Sequence, residues 1–434
     1  MKKILITITC SVCCCITAAQ TTLTLDQCKQ LARDNNIALR SARNNIEQAE
    51  QQRKQAFTNY FPQVSAMGAG LTANKHLVQM DMTFPAEMSA MLPAGASMPT
   101  SMGMIKNGVV GNVMAMQPIF AGGQIVNANR LAKVGVEASR IQLEASEDEV
   151  ELTTEQYFWQ IVSLQEKMKT VAAVETMLAD IHKDVDAAVS AGIALRNDLL
   201  QVQLRQNEVE SQRLKLQNGI SIVRLLLAQY CGLRDTSFTL SHHADAVIPV
   251  PLKQDHQQAL FSTSEYQLLG KQVEAANLQR KMEIGKNLPT VAVGVGYNYH
   301  TLLENDHSFA MLFATVSVPI SDWWGGSHAI KRKKIAYQQA QDQLTDNAQL
   351  LTIRMQNAWN SVVEARQQLD IAQRSIEQSE ENLRLHRDYY RAGTCKMSDL
   401  LEAQLLYQQS CDKHTDAYAD LQNKILEYKQ STGQ

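Results

Sequence analysis

The chain contains 434 residues, of which 41 are Lys or Arg and 44 are Asp or Glu, so its formal net charge is −3. This length suffices for two or three ordinary domains, and the charge balance lacks the basic excess typical of nucleic-acid-binding proteins. Only 9 residues are Pro, and the abundance of Ala, Gln, Leu and Glu favours long helices.

The N-terminus has the pattern of a secretory signal peptide. Two lysines precede a short apolar run at residues 4–16, and a small-residue site predicts cleavage before Gln20. The run is too short to cross about 30 Å of hydrocarbon as an anchor helix. A lipoprotein signal is the closer alternative, but no cysteine in this segment follows a good Leu-x-Ala or Leu-x-Gly triplet. We therefore expect a signal peptide at residues 1–19 and an exported chain at residues 20–434.

Four cysteines lie beyond the cleavage site. Export permits disulfides, but the spacing contains no CxxC pair typical of a metal site, so the pattern favours buried free thiols. These residues are Cys28, Cys231, Cys395 and Cys411.

The two halves of the exported chain repeat the same motifs. Gly192 and Gly393, which lie 201 positions apart, are each followed after five residues by Asp-Leu-Leu. Upstream, Pro118-Ile119 and Pro319-Ile320 match at the same offset. Agreement over this extent indicates an internal duplication.

The duplication predicts two equivalent units, repeat one at residues 25–232 and repeat two at residues 256–433. Each begins with a helix of about thirty residues, continues through two strands into a very long helix, and ends in a shorter helix after a glycine turn. A helix of about 66 residues is about 100 Å long. The predicted helices are Leu25–Asn59, Gly123–Ser190 and Asn197–Tyr230 in repeat one, and His256–Lys286, Gly326–Arg391 and Ser398–Tyr428 in repeat two.

The shorter helices have the heptad spacing of coiled coils, because Val202, Val209 and Val223 fall on one seven-residue repeat. The seam of the last helix also holds Gln404 and His414, which favours a curved wall of helices with a wet face over a dry bundle. Metal binding by His414 is the alternative, but packing is favoured because the residue lacks a nearby partner in the sequence.

Four segments have the pattern of membrane-spanning β-strands. In residues 289–300, apolar and aromatic residues alternate with small or polar ones. Each segment has about the ten residues that a tilted strand needs to cross a bilayer, and a soluble hairpin packed on the helices is the alternative. The predicted strands are residues 62–73 and 107–120 in repeat one, and residues 289–300 and 308–320 in repeat two.

Four strands cannot close a barrel, and open sheet edges are not tolerated in lipid. The sequence therefore predicts that several copies of the chain share one barrel. Three copies would supply about twelve strands, an even number within the known range, while the residues themselves leave the number of copies open.

A methionine-rich insertion at residues 80–104 has no counterpart in repeat two and contains seven Met residues. Thioethers bind soft metals such as Cu(I), so metal export is one interpretation of the insertion. An extracellular loop that packs between barrel mouths is the favoured one.

Together these motifs resemble the TolC family of outer-membrane efflux proteins, over essentially the whole exported chain. The residues that carry the resemblance are the two Gly-x5-Asp-Leu-Leu turns, the strand exit Pro118–Gly123 and the opening Leu25–Ala32. The resemblance implies a mainly α fold with a transmembrane β part. In a homotrimer, the strands form one outer-membrane β-barrel, and the duplicated long helices form a coiled-coil α-barrel across the periplasm.

The resemblance also implies a passive exit duct of a tripartite efflux or type I secretion system. Its expected partners are a periplasmic adaptor protein, an inner-membrane transporter of RND or ABC type, and outer-membrane lipid. No nucleic acid, cofactor or catalytic residue is expected, because the sequence has no Ser-His-Asp spacing, phosphate loop or HExxH motif. The alternative is a periplasmic coiled-coil structural protein that never inserts. Drug, metal and protein export remain open.

In this family, residues around the glycine turns hold the periplasmic tip closed. The turn glycines here are Gly192 and Gly393. Better-studied members carry an Arg two residues after the turn, whereas this chain has Cys395, which puts the salt-bridge part of the closure in doubt. The resemblance places the gate at Asn197 and Asp198 in repeat one, and at Tyr390, Asp399 and Glu402 in repeat two.

Helix capping is the alternative role for two of these residues. Asp198 and Asp399 stand near helix starts, where a carboxylate accepts hydrogen bonds from free N–H groups and meets the positive end of the helix dipole. Glu402 lies one turn further in, so it is the better test of a gate.

Overall fold

The computed structural model describes most of the exported chain. The predicted signal peptide, residues 1–19, and most of the methionine-rich insertion lie outside the described residues. The described residues are 22–83, 85, 101–241, 248–249, 251–302, 306–320 and 322–434.

Repeat one consists mainly of helices that the predicted periodicity locates well. The third is 67 residues long, which corresponds to about 100 Å. The helices are α1 (Leu25–Asn35), α2 (Ile37–Thr58), α3 (Gln124–Ser190) and α4 (Arg196–Tyr230).

The prediction of one helix over Leu25–Asn59 is wrong, because the helix is interrupted at Asn36. This residue has extended backbone dihedrals, with φ −64° and ψ 133°. Its side-chain oxygen accepts a hydrogen bond from the Ala38 N–H at 2.8 Å, and its amide donates to the Tyr230 carbonyl at 3.3 Å. Local side-chain hydrogen bonds of this kind compete with the helix, and here they separate α1 from α2.

Repeat two has the same order, with one long helix of 70 residues. The prediction of one helix over His256–Lys286 is also wrong. The chain is extended at Thr263, whose hydroxyl donates to the Leu260 carbonyl at 2.7 Å. The elements are α5 (His256–Ala259), a 3₁₀ turn (Leu260–Ser262), α6 (Ser264–Lys286), α7 (Asp322–Arg391) and α8 (Met397–Ser431). Within the described residues, no helix is both long enough and apolar enough to cross a membrane.

The four predicted strands form one antiparallel sheet in the order β2-β5-β7-β8, in which the β5–β7 pair joins the hairpins of the two repeats. Two smaller strand pairs were not predicted: a parallel pair, β1 with β6, and an antiparallel pair, β3 with β4, at the two ends of the methionine-rich insertion. The strands are β1 (Thr22–Leu23), β2 (Gln63–Thr72), β3 (Val78–Asp81), β4 (Ser101–Met104), β5 (Asn107–Ala121), β6 (Thr239–Leu240), β7 (Thr290–His300) and β8 (His307–Ser317).

The two faces of the four-stranded sheet differ in polarity. Alternate residues of β7 are exposed, as the sequence pattern predicts, and the pairing register places like residues of the four strands side by side. The apolar face contains Val64, Ala66, Val109, Val113, Ala115, Val293, Val295, Tyr297, Leu312, Ala314 and Val316. The mixed face contains Gln63, Ser65, Asn112, Asn298, His300, His307, Thr315 and Ser317, with Asn112 donating to Asn298 at 2.5 Å.

The chain packs as two compact units, each built from segments of both repeats. The first is Met1–Asn44, Ile141–Gln267 and Asn347–Gln434, and the second is Asn45–Arg140 and Leu268–Asp346. The main core of the first unit lies where α1, α3 and α4 meet. It includes Cys28, Leu39, Phe158, Ile161, Leu227 and Cys231.

The exits from the two β-hairpins differ although their sequences match. Gly122 has a φ of +59°, and a Cβ on it would lie 2.1 Å from the Gly285 carbonyl oxygen. Its repeat counterpart, Gly325, is already helical and faces open space. The prediction that the second long helix begins at Gly326 is therefore wrong, since α7 begins at Asp322.

This difference gives a matched pair of substitutions. Gly122→Ala places a side chain in a left-handed backbone conformation and against a carbonyl, which we expect to destabilise the protein by about 3 kcal/mol or more. Gly325→Ala replaces a helical glycine in open space, and we expect a gain of about 0.5–1 kcal/mol. Thermal unfolding of the purified protein in detergent, followed by circular dichroism, measures both. Equal effects of the two substitutions would contradict the assigned backbone conformations.

Candidate functional site: the helical hairpin tips

Two helical hairpins, α3–α4 and α7–α8, end in turns with the same hydrogen-bond pattern. Gly192 and Gly393 have φ values of +73° and +71°. After them, the Ile193 N–H donates to the Ala188 carbonyl and the Thr394 N–H to the Tyr389 carbonyl, both at 2.9 Å. This is the Schellman motif, which needs a left-handed residue, and glycine adopts that conformation without steric cost.

The third residue of each outgoing helix is an Asp whose carboxylate caps the start of the helix. The Asp198 carboxylate accepts a hydrogen bond from the Leu195 N–H at 3.4 Å, and the Asp399 carboxylate accepts one from the Lys396 N–H at 3.3 Å. This contact is one half of a capping box, in which the third helical residue reaches back to the N-cap. The capping role is therefore present for both residues. Accepting this hydrogen bond does not remove the negative charge of either carboxylate.

Beneath the turns, the two hairpins share one apolar cluster. Its buried residues come from all four helices, so each tip is held against the other by burial of apolar surface. The cluster consists of Ile181, Val185, Val202, Leu383, Met397, Leu400 and Ala403, with Tyr390, Leu199 and Tyr407 packed against it.

Tyr390 lies at the edge of this cluster and connects the two hairpins electrostatically. Burial raises the pKa of its phenol, and the nearby negative charge of Asp198 on the other hairpin raises it further. The side chain therefore stays protonated and remains a hydrogen-bond donor near that carboxylate. Of the five predicted gate residues, Tyr390 and Asp198 are thus brought together across the two repeats.

The other predicted gate residues stand at the surface of the tip. Asn197 and Glu402 are exposed, while Asp399 is half-buried. Within the chain, Glu402 lies one helical turn from Asp399 on the same side of α8, because residues three apart are neighbours on a helix. A gate role stays a prediction for all five residues.

The two tips differ chemically at the turns themselves. The first turn leaves the apolar side chains of Ile193 and Leu195 largely exposed. At the equivalent positions the second turn has Thr394 and Lys396, with Cys395 between them. The Cys395 thiol lies 3.6 Å from the His386 carbonyl, and burial raises its pKa. This chain therefore has a partly buried thiol at the place where better-studied members of the family carry a charged Arg.

A buried polar network lies about two turns along the helices from the tips. The Arg205 guanidinium donates to the side-chain oxygens of Gln404 at 3.0 Å and Gln408 at 2.9 Å. Both glutamines are buried, and Gln408 donates in turn to Gln212 at 2.7 Å. Arg205 also pairs with the exposed Glu208 at 3.0 Å.

The interpretation of Gln404 as part of a wet seam is therefore wrong. It is a fully buried residue whose side-chain oxygen accepts a hydrogen bond from Arg205 on α4 and whose amide donates to Gln408 on α8. Arg205 was missed, because a single Arg in a helix reads as a solvated charge. Its position on α4 could have indicated this role, because Arg205 faces the polar seam of α8, the equivalent helix of repeat two.

Metal binding finds no support among the described residues, where no group of three or more His, Cys, Asp and Glu is placed to hold an ion. His414 is half-buried, and burial lowers its pKa. The neutral, packed histidine of the favoured interpretation agrees with this environment.

Comparison with known proteins gives a family and a fold. The family model described as outer membrane efflux protein matches residues 29–233 and 257–434. No curated protein sequence matches the chain.

Three of the similar solved structures are outer-membrane proteins. VceC from Vibrio cholerae is 14% identical with a TM-score of 0.75, over 94% of this chain and 96% of that one. The CmeC channel from Campylobacter jejuni is 16% identical with a TM-score of 0.78, over 94% and 85%. The open MtrE channel from Neisseria gonorrhoeae is 15% identical with a TM-score of 0.72, over 94% and 88%. At these identities the likeness establishes a shared fold.

The buried network should stabilise the packing of α4 on α8. Arg205→Ala leaves the buried oxygen of Gln404 without a donor and that of Gln408 with only the 3.4 Å contact from the Gln404 amide, and we expect a loss of about 2–3 kcal/mol. Glu208→Ala removes only the exposed partner of the same Arg and should cost about 0.5 kcal/mol or less. Denaturant unfolding of the purified protein measures both variants. If both variants lose only a similar small amount of unfolding free energy, water replaces the guanidinium of Arg205 in the network.

Proposed function

Because the chain belongs to the outer membrane efflux protein family, we propose that three copies of it form one continuous duct through a shared twelve-stranded barrel. The family and the fold make the chain an outer-membrane exit duct for efflux, with its helical part in the periplasm. At the periplasmic end, the hairpin tips form the aperture and meet an adaptor protein and an inner-membrane transporter of RND or ABC type. The energy for transport comes from those partners.

The single observation that carries the shared barrel is the sheet of four strands with two open edges, β2 and β8. In lipid, each unpaired N–H or C=O costs several kcal/mol, so an open edge does not persist there. Pairing β8 of one copy with β2 of the next satisfies both edges at once. Three such contacts close twelve strands with the apolar face towards lipid and the mixed face towards the lumen.

Aromatic residues support the position of the membrane boundary. Trp323 and Trp324 are exposed at the start of α7, directly after the strands. Phe57, Tyr60 and Phe61 are exposed just before β2, and the ring of Phe57 contacts those of the other two. Aromatic belts of this kind are typical of the interface between lipid and water.

The proposed duct and the non-inserted structural protein give opposite expectations for one strand. Leu312 is 80% exposed on the apolar face of β8, whereas Thr315 lies on the mixed face of the same strand. In a lipid-facing position, Leu312→Arg costs about 2–4 kcal/mol per copy and should abolish trimers in outer-membrane fractions. Thr315→Arg should leave them intact. Trimers are detected as heat-modifiable bands in gel electrophoresis.

If Leu312→Arg accumulates as normal trimers, the face is not in lipid and the structural alternative gains support. If both variants disappear, the strand is sensitive to any charge, and a Leu312→Gln variant then separates polarity from charge. Gln in lipid should still impair insertion, whereas on a water-exposed hairpin it should not.

The gate follows from placing the tips around a threefold axis. Asp399 and Glu402 of three copies form two stacked carboxylate rings at the narrowest point. Like charges about 6 Å apart repel by about 0.7 kcal/mol even in bulk water, so the rings attract cations and oppose closure. Closure depends instead on the apolar cluster that both hairpins share and on Tyr390 near Asp198.

The capping bonds dictate how the rings should be tested. Asp399→Asn with Glu402→Gln removes both charges while leaving an oxygen to accept the Lys396 N–H. In planar bilayers, this double variant should show weaker block of single channels by divalent cations. Tyr390→Phe keeps the packing but removes the hydroxyl, and should raise resting conductance with cation block largely intact.

Block of the double variant as strong as that of the wild type would show that Asp399 and Glu402 are capping and surface charges only. If the Tyr390→Phe variant has unchanged resting conductance, the Tyr390 hydroxyl does not contribute to closure of the tip.

A further inference from the structure

Two cysteines from distant parts of the chain meet in the main core. Cys28 lies on α1 and Cys231 directly follows α4, and both are completely buried. The Cys231 Sγ lies 3.5 Å from the Cys28 carbonyl oxygen. The two side chains are also within hydrogen-bonding contact of each other.

The backbone around the two thiols is held in place by other contacts. β1, which precedes α1, pairs with β6, which follows α4. Asn35 at the end of α1 donates to the Cys231 carbonyl at 3.2 Å, and Asn36 donates to the Tyr230 carbonyl at 3.3 Å. The two thiols are thus held beside each other by contacts that do not depend on a bond between them.

We propose that Cys28 and Cys231 form a disulfide in the exported protein, a covalent link that encloses almost the whole of repeat one. The helical part of an outer-membrane efflux protein lies in the periplasm, an oxidising compartment in which disulfides form and persist. The two residues are separated by 203 positions. A link across so long a loop removes more freedom from the unfolded chain than a short one.

The reaction balances with a disulfide-bearing thiol oxidase of the periplasm as oxidant. One thiolate attacks the oxidase disulfide, and the second thiolate displaces the oxidase from the mixed disulfide. The two cysteines lose two protons and two electrons, and the oxidase disulfide becomes a dithiol. Because both thiols are buried in the folded core, the oxidase must act before the core closes.

Repeat two makes the same junction without a covalent bond. The position 201 residues after Cys231 is Thr432, which is buried and whose carbonyl accepts a hydrogen bond from Ser262 at 3.3 Å. Both repeats therefore contain a contact between their first helical segment and the end of their last helix. The thiol pair is particular to repeat one.

The remaining cysteines serve as internal controls. Cys395 lies at the second tip, where its thiol contacts the carbonyls of His386 and Lys396. Cys411 lies on α8 against Tyr407. We expect both to remain free thiols.

The test is a thiol assignment on full-length protein purified from outer membranes. The protein is denatured in the presence of N-ethylmaleimide without reductant, digested and analysed by mass spectrometry. We expect a linked peptide that contains Cys28 and Cys231, together with alkylated Cys395 and Cys411. Recovery of Cys28 and Cys231 as alkylated peptides would overturn the proposal.

A stability measurement checks the consequence of the bond. Dithiothreitol should lower the unfolding temperature of the wild type by a few degrees. It should leave unchanged that of a Cys28→Ala/Cys231→Ala variant, while a Cys395→Ser/Cys411→Ser variant should respond like the wild type. A shift of the same size in the Cys28→Ala/Cys231→Ala variant would mean that the reductant acts elsewhere. Should that variant fail to accumulate, the peptide assignment on the wild type still decides.

Discussion

The structure depends on where the backbone hydrogen bonds of the sheet are made. The pairing of β5 with β7 runs from Val110 opposite His300 to Ala121 opposite Thr290, and it joins two duplicated hairpins into one sheet. This register sets which side chains share a face, because neighbouring residues on a strand point to opposite sides. One face becomes apolar and the other mixed. The same pairing leaves β2 and β8 as the two edges of the sheet, and the proposed shared barrel would satisfy both of them.

The duplication gives the protein two similar halves whose differences have physical consequences. Gly122 adopts a left-handed conformation against a carbonyl, while Gly325 is an ordinary helical residue. The first hairpin tip ends in exposed apolar side chains and the second in polar ones. In the proposed trimer, the six hairpin tips around the axis are therefore of two chemical kinds, one apolar and one polar.

The tip combines two sources of stability that respond differently to motion. The apolar cluster between the hairpins is non-directional, so it tolerates small changes in the angle between helices. The network of Arg205 with Gln404 and Gln408 is directional, and the two glutamines are buried, so their polar atoms lose hydrogen bonds if the geometry is lost.

Much of this architecture is determined by the sequence alone. The offset between Gly192 and Gly393 identifies two repeats, and the Pro-free runs give the two long helices to within a few residues. The alternation in β7 gives its two faces, because a period of two is a direct property of an extended chain. These features are local, so a window of ten to seventy residues contains all the information that they need.

The tertiary structure alone decided the features that depend on distant partners. Asn36 interrupts a helix because the Tyr230 carbonyl lies nearby and accepts a hydrogen bond from its side chain. Gln404 can be buried because Arg205, on another helix, donates a hydrogen bond to its side-chain oxygen. Cys28 and Cys231 look like isolated thiols in the sequence and become neighbours only when α1 packs beside the end of α4. A hydrogen bond or thiol contact between residues some two hundred positions apart leaves no periodic trace in either segment. Such a contact is fixed only by the packing that brings the two segments together.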